Sequence, residues 1–241
     1  MVSVKRQRLV GWFVGLALLA GTALAQQEDP LAYADQLIRN GEYALAVIAL
    51  EKQLSAHPVE AARLLGVVYL YEGEYDRALR WLERARSEGL RDADYYWLKG
   101  RIEVARGNWD AAWSALRSAV ALDPQPDYAL LWGVAGLAQG DTERALLGLG
   151  KASRSGAQVG AAFLEGLALL AEDPEAALKK LRAAQAEMDP GDPRKPQVIY
   201  WQARALERLG RAGEARSTLR FLLRAYPGYG PAQDALNRLG P

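Results

Sequence analysis

A hexapeptide pattern, Gly-x-aromatic-x-x-Ala, returns about every 33 residues along this chain of 241 and constrains its fold more than any other feature. It reads Gly41-Glu-Tyr43-Ala-Leu-Ala46, Gly73-Glu-Tyr75-Asp-Arg-Ala78 and Gly107-Asn-Trp109-Asp-Ala-Ala112. A fourth copy, Gly140-Asp-Thr142-Glu-Arg-Ala145, lacks the aromatic ring. A weaker copy follows at Asp173-Pro-Glu-Ala-Ala177, and the glycine returns at Gly210 with Ala215 in the alanine place. A fixed period of this length marks stacked helix-turn-helix units, each too small to bury its apolar face alone. The expected fold is all-α, an α-solenoid of about six units that presents a surface for binding.

Within the units the apolar spacing is helical. Tyr75, Ala78, Leu79, Leu82 and Ala85 form one stripe, while Asp76, Arg77, Arg80, Glu83 and Arg84 fall on the wet side. The preceding segment places Ala62, Leu65, Gly66 and Tyr69 in the same way. Small residues at mid-helix, Gly66 facing Ala78 and Gly100 facing Ala112, let the two helices of a unit approach closely. Unit four is rich in glycine (Gly133, Gly136, Gly140, Gly148, Gly150). Each glycine inside a helix costs about 1 kcal/mol relative to alanine, so this hairpin is expected to be the softest and a hinge for curvature. Asp189 to Pro196 reads as a longer linker, and 231–239 as a short amphipathic capping helix with Gln233, Asp234, Asn237 and Arg238 toward water.

These residues resemble the tetratricopeptide repeat, a helical hairpin of about 34 residues. Its pattern has a small residue midway along helix A, here Ala34, Gly66, Gly100, Gly133, Gly166 and Ala203. Helix B closes near proline at Pro58, Pro124, Pro190 and Pro227, with Gly89 and Gly156 as the stops of units two and four. The units span 27–58, 59–92, 93–125, 126–158, 159–190 and 196–229, in one solenoid domain over 26–241. In the family, helix A positions line a concave groove that holds the partner. The resemblance therefore implies a groove of Arg63, Tyr71, Trp97, Arg101, Leu130, Val134, Phe163, Leu167, Tyr200 and Arg204. Apolar and aromatic residues fill its middle and arginines flank them, a composition suited to a peptide or protein partner. The alternative for the aliphatic members is packing against the next unit. The family's carboxylate clamp is missing, since the first unit has Leu31 and Asp35 at its positions.

The first 25 residues read as a signal peptide. Lys5, Arg6 and Arg8 precede an apolar run over 9–20, and Ala23-Leu-Ala25 supplies the small residues of a cleavage site. An uncleaved membrane anchor is the rival. Both readings put the repeats outside the cytoplasm, in the periplasm or the secreted fraction. The chain has no cysteine, so neither disulfides nor a cysteine-linked lipid hold it. Its 30 Lys+Arg against 29 Asp+Glu leave no electrostatic footprint for nucleic acid.

Catalysis finds little support. His57 is the single histidine, so no second one completes a zinc site or an acid–base pair. Gly148 to Ser153 resembles a phosphate loop but lacks its first glycine and the hydroxyl after Lys151. Asp76, Asp110 and Asp141 are expected to cap helices and complement their dipoles. The reading that emerges is an exported bacterial scaffold or adaptor of a cell-envelope complex, with no cofactor or metal and no enzymatic role. Alternatives are an accessory subunit of an envelope enzyme or polysaccharide-export system, and a membrane-anchored form of the same scaffold.

Overall fold

The computed structural model describes residues 29–240, and the expected leader lies outside the described residues. Thirteen α-helices and no strand occur among them. They pair as hairpins: α1 (Pro30–Arg39) with α2 (Tyr43–Gln53), α3 (Pro58–Tyr71) with α4 (Tyr75–Ser87), and α5 (Asp92–Ala105) with α6 (Trp109–Leu122). Next come α7 (Pro126–Ala138) with α8 (Thr142–Arg154), α9 (Gln158–Leu169) with α10 (Pro174–Glu187), and α11 (Lys195–Arg208) with α12 (Ala212–Ala225). A last helix, α13 (Gly230–Leu239), follows.

The turn between paired helices explains the recurring glycine. Gly73 sits at φ +77°, its N–H donates to the Leu70 carbonyl at 3.2 Å, and the N–H of Glu74 donates to the Tyr69 carbonyl at 2.9 Å. This is the Schellman arrangement, which satisfies orphan carbonyls only if one residue turns left-handed. The same pair of bonds recurs at Gly41, Gly107, Gly140 and Gly210. Unit five has no such glycine. There the Asp173 N–H donates to the Leu169 carbonyl at 2.8 Å, and its carboxylate caps α10 by accepting from the Ala176 N–H at 2.9 Å.

Pro58 does not close a helix. It opens α3, whereas α2 already ends at Gln53. Proline suits the first helical turn because the N–H it lacks would have no partner there. The small mid-helix residues are seams of close approach, although Gly100 faces Leu116 rather than Ala112. A Cβ at Gly100 would stand 2.6 Å from the Leu116 side chain, and one at Gly133 or Gly166 equally close to Leu149 or Leu181.

Unit four is the tightest seam rather than a soft one. A Cβ at Gly136 would come within 2.5 Å of the Ala145 nitrogen, and one at Gly148 within 2.4 Å of the Gly133 nitrogen. These glycines let backbone pack on backbone. The lost turn aromatic of this unit is replaced by Thr142, whose hydroxyl donates to Glu172 at 2.8 Å and ties unit four to unit five.

Successive units are held by apolar and polar contacts. Trp132 tilts against Trp113 at 5.5 Å, and the buried Gln202 amide donates to the Leu181 carbonyl and to Gln185. Asp141 caps α8 through the Arg144 N–H. Asp76 and Asp110 instead pair with arginines of the following unit, Arg106 at 3.5 Å and Arg144 at 2.8 Å. Fully buried side chains such as Leu50, Leu82, Leu116, Leu149, Leu181 and Leu222 string the core along the rod. At its end α13 buries Ala232 and Ala235 against Ile199, Leu219 and Leu222, and exposes Gln233, Asp234, Asn237 and Arg238.

Candidate functional site: an aromatic ladder in the inner groove

The first helices of the hairpins line the inner flank. Between α1, α3 and α5 lies a recess of about 520 Å³, with Ile38, Leu64 and Val67 as its apolar part and Tyr43 and Tyr71 at its wall. Three arginines reach it, and two are already neutralised: Arg39 pairs with Asp35, and Arg63 with Glu60 at 2.8 Å. Arg101 differs. Its guanidinium donates to the Tyr71 hydroxyl at 3.2 Å and lies 5.9 and 5.8 Å from the centres of the Tyr71 and Trp97 rings. No carboxylate among the described residues pairs with it.

The rings continue on both sides. Tyr43 stacks on Tyr71 at 6.0 Å, and Trp97 stacks on Tyr128 at 4.4 Å. Four rings from four units thus form a ladder with one unpaired cation at its centre. Tyr128 is fixed from below, since its hydroxyl donates to Asp94 at 3.4 Å and Asp94 is held by Arg91 at 2.8 Å. Burial, and then the Asp94 charge, push the Tyr128 phenol above its ordinary range, so it stays a neutral donor. A guanidinium over aromatic faces keeps its positive charge while shedding water, which strengthens its attraction for an incoming carboxylate.

The structure thus brings Arg63, Tyr71, Trp97 and Arg101 together, places Leu130 in the same apolar cluster as Trp97 and Tyr128, and leaves the other anticipated groove residues apart. Phe163 is buried among Leu178, Leu181 and Val198, so it belongs to the core and not to the groove. Leu130 packs toward Gly160 of the next unit, and Leu167 lies half-buried against the same core as Phe163. Val134 is half-buried on α7. At the far end Tyr200 tilts against Tyr229 beside the capping helix at 5.9 Å, and Arg204 pairs with Glu207 at 2.9 Å. Sequence reasoning passed over Tyr43, taken only as a turn residue, and Tyr128, which stands two places before the groove position of its helix.

His57 is exposed just before α3, and the phosphate-loop look-alike lies inside α8. No group of three or more His, Cys, Asp or Glu among the described residues is placed to hold a metal ion. No described helix is long and apolar enough to cross a membrane.

The tetratricopeptide repeat pattern matches residues 31–93, 63–125 and 98–159, more than half of the chain. The chain belongs to the tetratricopeptide repeat family. Members of this family are in general non-enzymatic scaffolds for protein–protein interaction. Among solved structures, PilW, a widely conserved type IV pilus biogenesis factor, superposes with a TM-score of 0.69 at 20% identity, over 86% of this chain and 96% of that one. PilF of Pseudomonas aeruginosa gives 0.67 at 18% identity, over 87% and 96%. YrrB, a tetratricopeptide repeat protein with an unusual peptide-binding site, gives 0.63 at 18% identity, over 78% and 97%. At such identities the likeness speaks for the fold alone. No curated protein matches the chain.

Proposed function

We propose that this tetratricopeptide repeat protein is an exported adaptor whose inner groove grips a partner polypeptide during assembly of a cell-envelope complex. The observation that carries the groove reading is Arg101, a guanidinium without a carboxylate partner among the described residues, set between Tyr71 and Trp97 at a recess of mixed polar and apolar lining. Aromatic residues and arginine are the side chains enriched where binding energy concentrates. The partner segment would lay apolar side chains on the ladder and present a carboxylate to Arg101. Export rests on the leader pattern of the first 25 residues and places the protein in the periplasm or outside the cell. The role of PilW in pilus biogenesis makes pilus assembly the first setting to examine.

The test is partner recovery from envelope extract with the wild-type chain, Trp97→Ala and Arg101→Ala. Truncating a groove anchor of this kind costs about 2 kcal/mol, roughly 30-fold in affinity, so the variants should lose the partner. Recovery of the same proteins in equal amounts by all three would refute the groove. N-terminal sequencing of the protein from cells checks cleavage of the leader: a mature chain starting near Gln26 supports it, one starting at Met1 favours the uncleaved anchor.

A further inference from the structure

The outer flank of the rod has a character of its own. The second helices of the six hairpins, α2, α4, α6, α8, α10 and α12, hold 15 Lys and Arg against 8 Asp and Glu, whereas the six first helices hold 7 against 8. The outer layer is therefore basic although the chain as a whole is nearly neutral. Among the described residues, five of the seven large apolar side chains that stand exposed lie on these same helices.

Both features meet on the first two hairpins. On α2, Leu45 and Ile48 are 50% and 52% exposed. At the equivalent places on α4, four and seven residues after the turn glycine, stand Arg77 and Arg80, with Arg84 one turn further along. Arg80 and Arg84 have no carboxylate partner among the described residues, and Arg84 rests on the Trp81 ring at 5.1 Å. Glu83, which could have neutralised them, is turned away to accept from the Tyr95 hydroxyl. α2 and α4 are the second helices of successive repeats, so residues at equivalent places on them stand on the same side of the stack.

We infer that this outer face of the first two hairpins docks on an anionic lipid surface. Exposed methyl groups beside unpaired guanidinium groups suit the interfacial layer, where the former enter the acyl region and the latter stay with the phosphates. An acidic protein would account for the arginines but leaves Leu45 and Ile48 without a role. The surface shares no residue with the inner groove, so the two readings stand or fall separately.

The experiment is flotation of residues 26–241, which keep all six hairpins, with vesicles of phosphatidylcholine alone or with roughly a third phosphatidylglycerol. Binding is expected only to the anionic vesicles, and is expected to disappear at about 1 M salt, where the screening length falls to about 3 Å. The Arg80→Gln/Arg84→Gln double variant should bind about 25-fold more weakly, at about fivefold per basic residue. Leu45→Ser/Ile48→Ser should also weaken binding, and Arg101→Ala should leave it unchanged. All these positions other than Arg101 are exposed, so helicity by circular dichroism should not move. Absence of binding to anionic vesicles, or equal binding by the arginine variant and the wild type, overturns the inference. So does capture by polyglutamate in place of vesicles with the same arginine dependence, which would assign the surface to an acidic protein.

Discussion

At the scale of single residues, glycine has opposite meanings two positions apart on α8. A Cβ at Gly148 would meet the Gly133 backbone nitrogen at 2.4 Å, and backbone cannot rotate aside as a side chain does. A Cβ at Gly150 would meet only the end of Arg154 at 3.7 Å. Gly148→Ala should therefore destabilise by about 1–3 kcal/mol, the usual cost of overpacking. Gly150→Ala should stabilise by up to about 1 kcal/mol through helix propensity. Urea unfolding of the pair checks this, and shifts of the same sign would contradict it. Composition counted both glycines as softening residues. Only the crossing of α7 over α8 separates the one that permits contact from the one that merely lacks a side chain.

At the scale of elements, the turn is the unit that repeats. A Cβ added at Gly73 would find nothing within 4 Å, so Gly73→Ala causes no collision and isolates the strain of φ +77°. The expected loss is about 1–2 kcal/mol, read from the urea midpoint. A loss below a few tenths would mean that the turn relaxes by another route. The hairpins themselves were legible because turn chemistry and helical periodicity are local: the helix pairs recur six times and the turn glycine five. The cross-unit pairings of Asp76 with Arg106 and Asp110 with Arg144 were not, since their partners lie about 30 residues away and no local pattern announces them.

At the scale of the whole molecule, stability should be a chain of nearest-neighbour interfaces ending at the capping helix. Deleting residues 230–241 strips cover from Ile199, Leu219 and Leu222. Hydrogen exchange should then show α11 and α12 losing protection first while α3 to α6 keep theirs; uniform loss along the rod would contradict the one-dimensional picture. The site was half legible on the same scale. Family positions pointed to Arg63, Tyr71, Trp97 and Arg101, which converge, and also to Phe163, which the stacking of units five and six buries. The candidate groove centres on units one to four because there the aromatic rings meet and Arg101 has no carboxylate partner among the described residues, whereas near the end Arg204 has found one in Glu207.

The sequence alone determined the hairpin, the left-handed turn glycine and the small residue at each helix crossing, because each is a demand of local backbone geometry that repeats with the period. The tertiary structure alone decided which inner positions stay open to the recess and which pack against a neighbouring unit. It also decided which arginines remain unpaired. Those outcomes depend on how far each hairpin leans on the next, and that angle is set by packing among residues a full repeat apart.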